Sequence, residues 1–553
     1  MQYKINIYDR NYQKYDFNNN IDISNVLFNP INSRLFNNDV FTYDISNEKI
    51  KIIQSETRNN KNIPGILILN KTFGKYKNKY LYQCVPNDKL LPIFLIPYVD
   101  KTNGFSKKNI NIYTSFCFFK WCSKHPYGTL TENFGEVNIP ENFYNYQIYC
   151  RKLNNSISNL SLLSLNIYKK YNNNFNTIFD DIINKYDNLI NRINTHNIFT
   201  IDNAETSDYD DALSIQTINE NEHILSIYIT NVALILNELK LYPHLTERVC
   251  NIYLPHLRNS LFPNILNNFL FSLKEDQVRI AFTMDIHIID NNIVNISFKN
   301  TIIKVFKNFT YEEKSLFENE DYKSCFKCVL GLSKNYKYID KIKNSNNLIT
   351  YLSILMNYEC SKKMYNFTNT IFRSSKLKDN LIHPDNLNLP HKISNFLKIY
   401  NSSNTVYTLN KYSTHELLDN IDSYLHITSP IRKIVDLLNM INIQKNLNLI
   451  NFSEETYNFH NIWINKIDYI NETMKSIKKV ETDCSLLDLC TNNKCSNEHN
   501  ILNNTHNGFI FNKEKINKNK YTSYEYLVYL VDLKIVSKFK TTKSYNNYNF
   551  NVL

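Results

Sequence analysis

Over the first 150 positions, hydrophobic residues alternate with polar ones in short runs, the period-two pattern of half-buried strands. Ile63-Pro64-Gly65-Ile66-Leu67-Ile68-Leu69 reads as a turn followed by an apolar strand. Tyr80–Val85, Ile93–Val99 and Ile110–Trp121 read as further strands, rich in β-branched and aromatic residues and bounded by turn formers. Residues 151–195 are Asn-rich with helical periodicity and read as a linker. Strands return at Leu213–Ile218, Ile224–Val232 and Val278–Ile289, and from about 310 to 480 the apolar spacing becomes helical. Residues 491–507 are polar, a second linker, and the tail from Gly508 to Leu553 alternates again, notably over Tyr524–Val536. The expected class is a multidomain α+β chain: β modules, a large mixed domain, then one small β module. Asn18-Asn19-Asn20 and Asn172-Asn173-Asn174 are expected in surface loops.

Composition narrows this picture. At 553 residues the chain exceeds one core, and 43% hydrophobic with 21% charged residues makes it globular. The formal charge of +11 suits a polyanionic partner, although a coding bias toward Lys and Asn supplies the same excess. The 40 Tyr and 33 Phe among those cations are what a single-stranded nucleic acid needs, since bases stack on rings while cations follow phosphates; most of the rings must still be core. Eleven scattered cysteines suggest free thiols in a reducing compartment. Cys325 and Cys328 form a lone C-x-x-C, and Cys484, Cys490, Cys495 and His499 match no standard zinc spacing. With no signal-peptide core and no apolar run of membrane-spanning length, an intracellular protein is expected, cytoplasmic or nuclear, or acting in host cytoplasm if virus-encoded.

Two segments carry candidate chemistry. Eight acids and no Lys or Arg lie between Arg192 and Lys240, and five of them fall in the ten residues from Asp202 to Asp211. Apolar residues bracket them, so the cluster belongs to a core element, where close carboxylates need a compensating cation. An EF-hand is excluded: counting from Asp202 or Asp208, the sixth position is Ser207 or Leu213, not Gly. Four Asp with no His or Cys suit Mg²⁺; a solvated acidic loop and a structural ion remain open on these residues alone. The second segment runs from Tyr424 to Asp436. Ser429 is a good N-cap, Pro430 suits the first helical position, and Ile431, Ile434, Val435 and Leu438 share a face. Arg432 in that first turn opposes the helix dipole, which a phosphate partner would explain, as would an ordinary capped helix with a surface Arg.

Together these segments resemble the signature of the RNB family, the ribonuclease II-like 3′-to-5′ exoribonucleases. Ile201–Ala212 resembles its I-D-P-x-x-A-x-D-x-D-D-A at all four Asp, and Tyr424–Lys433 resembles its Y-x-H-F-T-S-P-I-R-R, about 220 residues later and in the expected order. Asn251-Ile252-Tyr253-Leu254-Pro255, Ser272-Leu273 with Arg279-Ile280-Ala281-Phe282, and Thr310-Tyr311-Glu312-Glu313 resemble further family stretches. Val85-Pro86-Asn87-Asp88 with Pro92 is similar to the family's second cold-shock domain. The likeness spans roughly residues 60–490.

The resemblance implies N-terminal OB-fold cold-shock barrels (a degenerate module at 1–60, a second at 61–150), a linker at 151–195, a catalytic domain at 196–490 and an S1-like OB barrel at 508–553. It implies a processive exoribonuclease that hydrolyses single-stranded RNA to nucleoside 5′-monophosphates, or in the alternative an RNB-like protein that binds RNA with little or no cutting. Asp202, Asp208, Asp210 and Asp211 would hold Mg²⁺, as two ions, or Mn²⁺ in its place. Asp210 and Arg432 would be catalytic, and Tyr253, Tyr311, Arg279, Ser429 and Lys433 would lie on the RNA path. The expected protein is a monomer with no membrane or small-molecule cofactor. No endonuclease-like segment precedes the barrels, so stable exosome association is not expected. The sequence departs from the family at Tyr351, where a Glu is common, at Tyr228–Val232, and at Met440-Ile441 in place of H-R.

Overall fold

The alternating segments do become strands, and their apolar faces build two units. The structure is a computed structural model that describes residues 2–18, 29–44, 49–99, 110–171, 176–339, 341–377, 389–412, 415, 421–492, 505–518, 521–546 and 550–552. Asn19, Asn20, Asn172–Asn174, Cys495 and His499 lie outside the described residues.

The first unit comprises residues 1–155, 252–258 and 475–501. Strands Ile63–Tyr76, Lys79–Pro86, Phe94–Tyr98, Ile112–Lys120 and Tyr127–Glu136 close into a barrel. Counted along the chain, the barrel order is first, second, third, fifth, fourth, with the third and fifth parallel at Leu95 opposite Tyr127. That circuit is the five-stranded Greek-key barrel expected for 61–150. Gly65 is required inside it, because a Cβ there would lie 2.8 Å from Cys84 Sγ and 3.1 Å from the Phe116 ring. Strands Gln2–Ile7, Tyr15–Phe17, Val40–Asp44 and Lys49–Gln54 form a separate antiparallel sheet. Ile5 and Phe41 of this sheet, with Phe36 before its third strand, share one apolar core with Leu67 and Phe94 of the barrel and with Trp121 just after its fourth strand. The two expected modules therefore share a core, and among the described residues only the second is closed.

The second unit comprises residues 156–251, 259–474 and 502–553. Its main sheet runs Ile190–Asn191, Asn292–Thr310, Ile198–Asp202, Asp211–Asn219, Glu222–Thr230, Val278–Ile289. The 19-residue strand Asn292–Thr310 pairs antiparallel with Val278–Ile289 and, farther along, parallel with Ile198–Asp202, so the sheet returns on itself. Helices Val232–Glu238 and Ile434–Asn446 are buried on nearly every side and fill the core, so that Asp436, Asn439, Asn442 and Gln444 of the second are buried along with its apolar residues. Asn231 and Gln444 join them through a reciprocal amide pair, each donating to the other's carbonyl oxygen at 3.0 Å.

Several expectations change here. The linker at 151–195 is not a linker: helices Ser158–Lys170 and Asn176–Lys185 contribute Leu160, Ile178, Phe179 and Ile182 to this core. Within the helical stretch, Phe372–Leu377 and Ser402–Thr408 pair as strands. Cys325 and Cys328 are buried on helix Glu320–Asn335 as core residues. The tail strand predicted at Tyr524–Val536 is two strands, Tyr521–Leu530 and Ile535–Thr541, in a four-stranded sheet packed on helix His391–Asn401; Phe396 stacks on Tyr529 at 3.8 Å. Among the described residues no helix is long and apolar enough to cross a membrane.

On the main sheet, Asp285 accepts two hydrogen bonds from Arg192 (2.8 and 2.6 Å), one from Lys299 (2.9 Å) and one from Ser226 (2.7 Å). Two cations thus clasp one buried carboxylate.

Candidate active site

The acidic segment is a pinned loop between two strands. Asp202 ends Ile198–Asp202, Asp211 begins Asp211–Asn219, and Phe199 pairs with Leu213; continuing that register sets Asp202 across from Asp210. Ser272 clamps the loop: its hydroxyl accepts the Tyr209 N–H (3.0 Å) and donates to the Ser207 carbonyl (3.1 Å), while the Leu273 N–H donates to the Tyr209 carbonyl (2.9 Å). The Thr230 N–H holds the Asp210 carbonyl at 2.9 Å. The loop backbone is thereby satisfied from a neighbouring strand and turn, which fixes where its carboxylates go.

The second segment arrives differently from its sequence signal. Ser429 and Pro430 do not start a helix; the helix begins at Ile434 with Lys433 as N-cap, and 429–433 form a turn in which the Arg432 and Lys433 N–H groups donate to the Ser429 carbonyl. The Ile431 N–H donates to Asp210 Oδ1 at 2.9 Å, and Arg432 Nε donates to Asp210 Oδ2 at 2.7 Å. An anion does sit at this turn, but it is Asp210 of the same chain. Arg432 Nη2 also donates to Ser429 Oγ at 2.9 Å, and the Ser429 N–H donates to Asp436 Oδ2 at 2.8 Å. Two asparagines that sequence reasoning missed support the segment. Asn357 donates to the Tyr424 hydroxyl and accepts the Ile427 N–H, and Asn439 donates to the His426 carbonyl. Each lies among several other polar residues of its helix, Ser345–Met364 or Ile434–Asn446, so nothing local marked it out.

Electrostatics follow from crowding. Burial and the repulsion of Asp211 and Asp210 push the Asp202 carboxyl well above the usual carboxylate range. Burial and Asp210 do the same to Asp211. Burial raises Asp210 as well, opposed by Arg432 and the Ile431 N–H. The Tyr311 N–H donates to the Asp202 carbonyl at 3.1 Å, and its phenol is pushed up to about 12 by burial and by Asp202 and Asp211. The structure thus brings Asp202, Asp210, Asp211, Arg432, Ser429 and Tyr311 together. Asp208 is buried in the same loop, and Lys433 is partly exposed within electrostatic reach of Asp436. Tyr253 belongs to the first unit; it is half-exposed, and its N–H donates to Glu481 Oε1 at 2.9 Å.

Arg279 is corrected. It is 2% exposed, its guanidinium donates to the Ser272 and Val278 carbonyls and lies over the Phe179 ring at 5.4 Å, so it braces the Ser272 clamp and is not a surface for RNA. Tyr351, Met440 and Ile441, three of the residues that depart from the family pattern, are buried core residues, with the Tyr351 hydroxyl on the Tyr336 carbonyl.

Among the described residues no three His, Cys, Asp or Glu side chains are gathered closely enough to hold an ion by themselves. The donor chemistry nevertheless fits a hard divalent cation: crowded carboxylates outnumber the one guanidinium beside them, and Mg²⁺ characteristically completes its shell with water and substrate phosphate.

Residues 190–370, which hold this loop and its clamp, match the RNB domain family. This segment is similar to RNB domains. Over 128 residues the chain is 30% identical to Ribonuclease R of Mycoplasmopsis pulmonis (strain UAB CTIP), a stretch that is 23% of this chain and 18% of that protein. Its fold is similar to Mycoplasma genitalium RNase R solved with ribose-methylated single-stranded RNA, at TM-score 0.66 and 14% identity, covering 100% of this chain and 97% of that one. It is similar also to yeast Ssd1, a pseudonuclease, at TM-score 0.59 and 12% identity, covering 97% of this chain and 78% of that one. The chain thus has the mixed α+β fold expected of it, similar to that of these solved structures.

Proposed function

We propose that the chain is a divalent-metal-dependent 3′-to-5′ exoribonuclease that hydrolyses single-stranded RNA to nucleoside 5′-monophosphates. The observation that carries this reading is the junction of the two motifs at Asp210, held at one oxygen by the Ile431 N–H and at the other by Arg432. Asp202, Asp208 and Asp211 would hold Mg²⁺, which when bound neutralises phosphate charge and lowers the pKa of a coordinated water. Asp210 and Ser429 fix the guanidinium of Arg432, 40% of whose side chain stays exposed, so that it meets the scissile phosphate in one orientation. Tyr311, beside Asp202, offers a ring to the terminal base. Single-strand preference is supported by the first unit's barrel, where Lys120 Nζ lies 4.5 Å from the Tyr76 ring and 5.4 Å from that of Tyr127, and Phe119 is half-exposed.

A second reading, an RNA-binding protein that does not cut, draws on the absence of a ready-made ion cage among the described residues. One experiment separates them. Purified protein is incubated with 5′-labelled single-stranded RNA, with Mg²⁺ or with chelator. A Mg²⁺-dependent ladder shortening from the 3′ end, with 5′-monophosphate products, is expected; RNA that is bound but never shortened overturns the nuclease reading.

A further inference from the structure

Arg373 is absent from both signature motifs, yet the fold ties it to the second. Its N–H donates to the Tyr424 carbonyl at 2.8 Å, and its neighbour Phe372 bridges to Leu425. On the other side, Arg373 pairs across the strands with Tyr407. Its guanidinium Nη1 lies 3.1 Å from His426 Nε2, and the Tyr407 hydroxyl lies 3.0 Å from His426 Nδ1. Both partners are neutral: burial drives His426 well below its ordinary value and Tyr407 well above its own. Among the described residues Arg373 forms no ion pair. The acid within its electrostatic reach is Asp436, which also feels Lys433 and Arg432 and whose Oδ2 already accepts the Ser429 N–H. Arg432 is matched by Asp210, so Arg373 and Lys433 together outnumber Asp436. A guanidinium propped by an imidazole and a phenol, rather than neutralised by a carboxylate, keeps its charge for a ligand.

We propose that Arg373 binds a backbone phosphate of the substrate RNA other than the one at Arg432, with His426 and Tyr407 as its positioning residues. This rests on the ribonuclease reading above, in its RNA-binding part alone. Fork geometry suits a phosphodiester with two accessible oxygens, and Asp436, within electrostatic reach of both, sets Arg373 and Arg432 in one neighbourhood.

The test is the affinity of the full chain for a labelled single-stranded RNA, read by fluorescence anisotropy across a salt series with chelator present, so that binding is seen without turnover. Arg373→Gln should weaken binding about 10-fold and reduce the slope of log affinity against log salt by about 0.7, the signature of one lost phosphate contact on a single strand. Arg373→Lys, which keeps the charge and covers the case of a Gln variant that does not fold, should keep the wild-type slope with affinity reduced about threefold. Wild-type affinity and slope in Arg373→Gln overturn the proposal, as does a lost slope in Arg373→Lys. A wild-type chain that binds no RNA overturns the reading on which the proposal rests, a result distinct from either.

Discussion

Two buried aspartate sites on the main sheet have opposite charge balances. At Asp285, two cations and a serine hydroxyl surround one carboxylate. Burial alone would raise it, but the hydrogen bonds from Arg192 and Lys299 dominate and hold it down at about 2. At Asp202, Asp210 and Asp211, three carboxylates share Arg432, and all are pushed up. The first site spends its electrostatics on holding strands together. The second is left short of positive charge, and a site short of charge is one that recruits it from outside. Position on the sheet does not separate the two; the ratio of cations to acids does.

The comparison can be broken most severely at Asp210. Asp210→Asn should lower turnover on the order of 10⁴-fold, the scale on which losing one member of a catalytic unit is felt, with RNA binding retained. Near wild-type kcat would place Asp210 with Asp285 as a structural residue. The converse cut is Arg192→Met, which leaves Asp285 with Lys299 as its remaining cation; loss of a buried partner costs about 3 kcal/mol. Urea unfolding should show that loss, while the kcat of the remaining folded protein stays unchanged. Arg432→Ala should reduce kcat on the order of 10²-fold if it meets developing charge, and a change confined to KM would contradict that role. The smallest effect is in pH. Asp285 at about 2, against an ordinary 3.8, contributes stability that is fully present above 3.8 and lost as pH falls through 2. That is about 2 kcal/mol. Unfolding midpoints of wild type and Asp285→Asn should therefore converge as pH is lowered through that window, and parallel curves would show that the clasp is not what Asp285 provides.

Much of the strand layout was legible because half-buried strands announce themselves by alternation: Val278–Ile289 was located residue for residue. The acidic loop was legible because five acids in ten residues are rare inside a core. The meeting of Asp210 with Arg432 could be read only through family resemblance, since nothing local links positions 222 residues apart. Ser429-Pro430 misled because its capping signal is strong, and a tertiary partner, Asp210, claimed the turn's Ile431 N–H instead. Arg279 misled because an arginine is ordinarily at the surface, and the backbone carbonyls that make its burial tolerable leave no trace in sequence. The helices at 158–185 passed for a linker because the Asn run at 172–174 between them drew attention from the apolar positions, Leu160, Ile178, Phe179 and Ile182, that dock them.

The reciprocal amides of Asn231 and Gln444 have a bearing on how the two motifs keep their spacing. Asn231 follows Thr230, whose N–H holds the Asp210 backbone, and Gln444 lies on the helix that Arg432 precedes. The gauge that sets the distance between acid and guanidinium is thus made of dipoles with no net charge. Acidity and ionic strength can alter how strongly the two groups attract, but this joint gives them no handle by which to move either one.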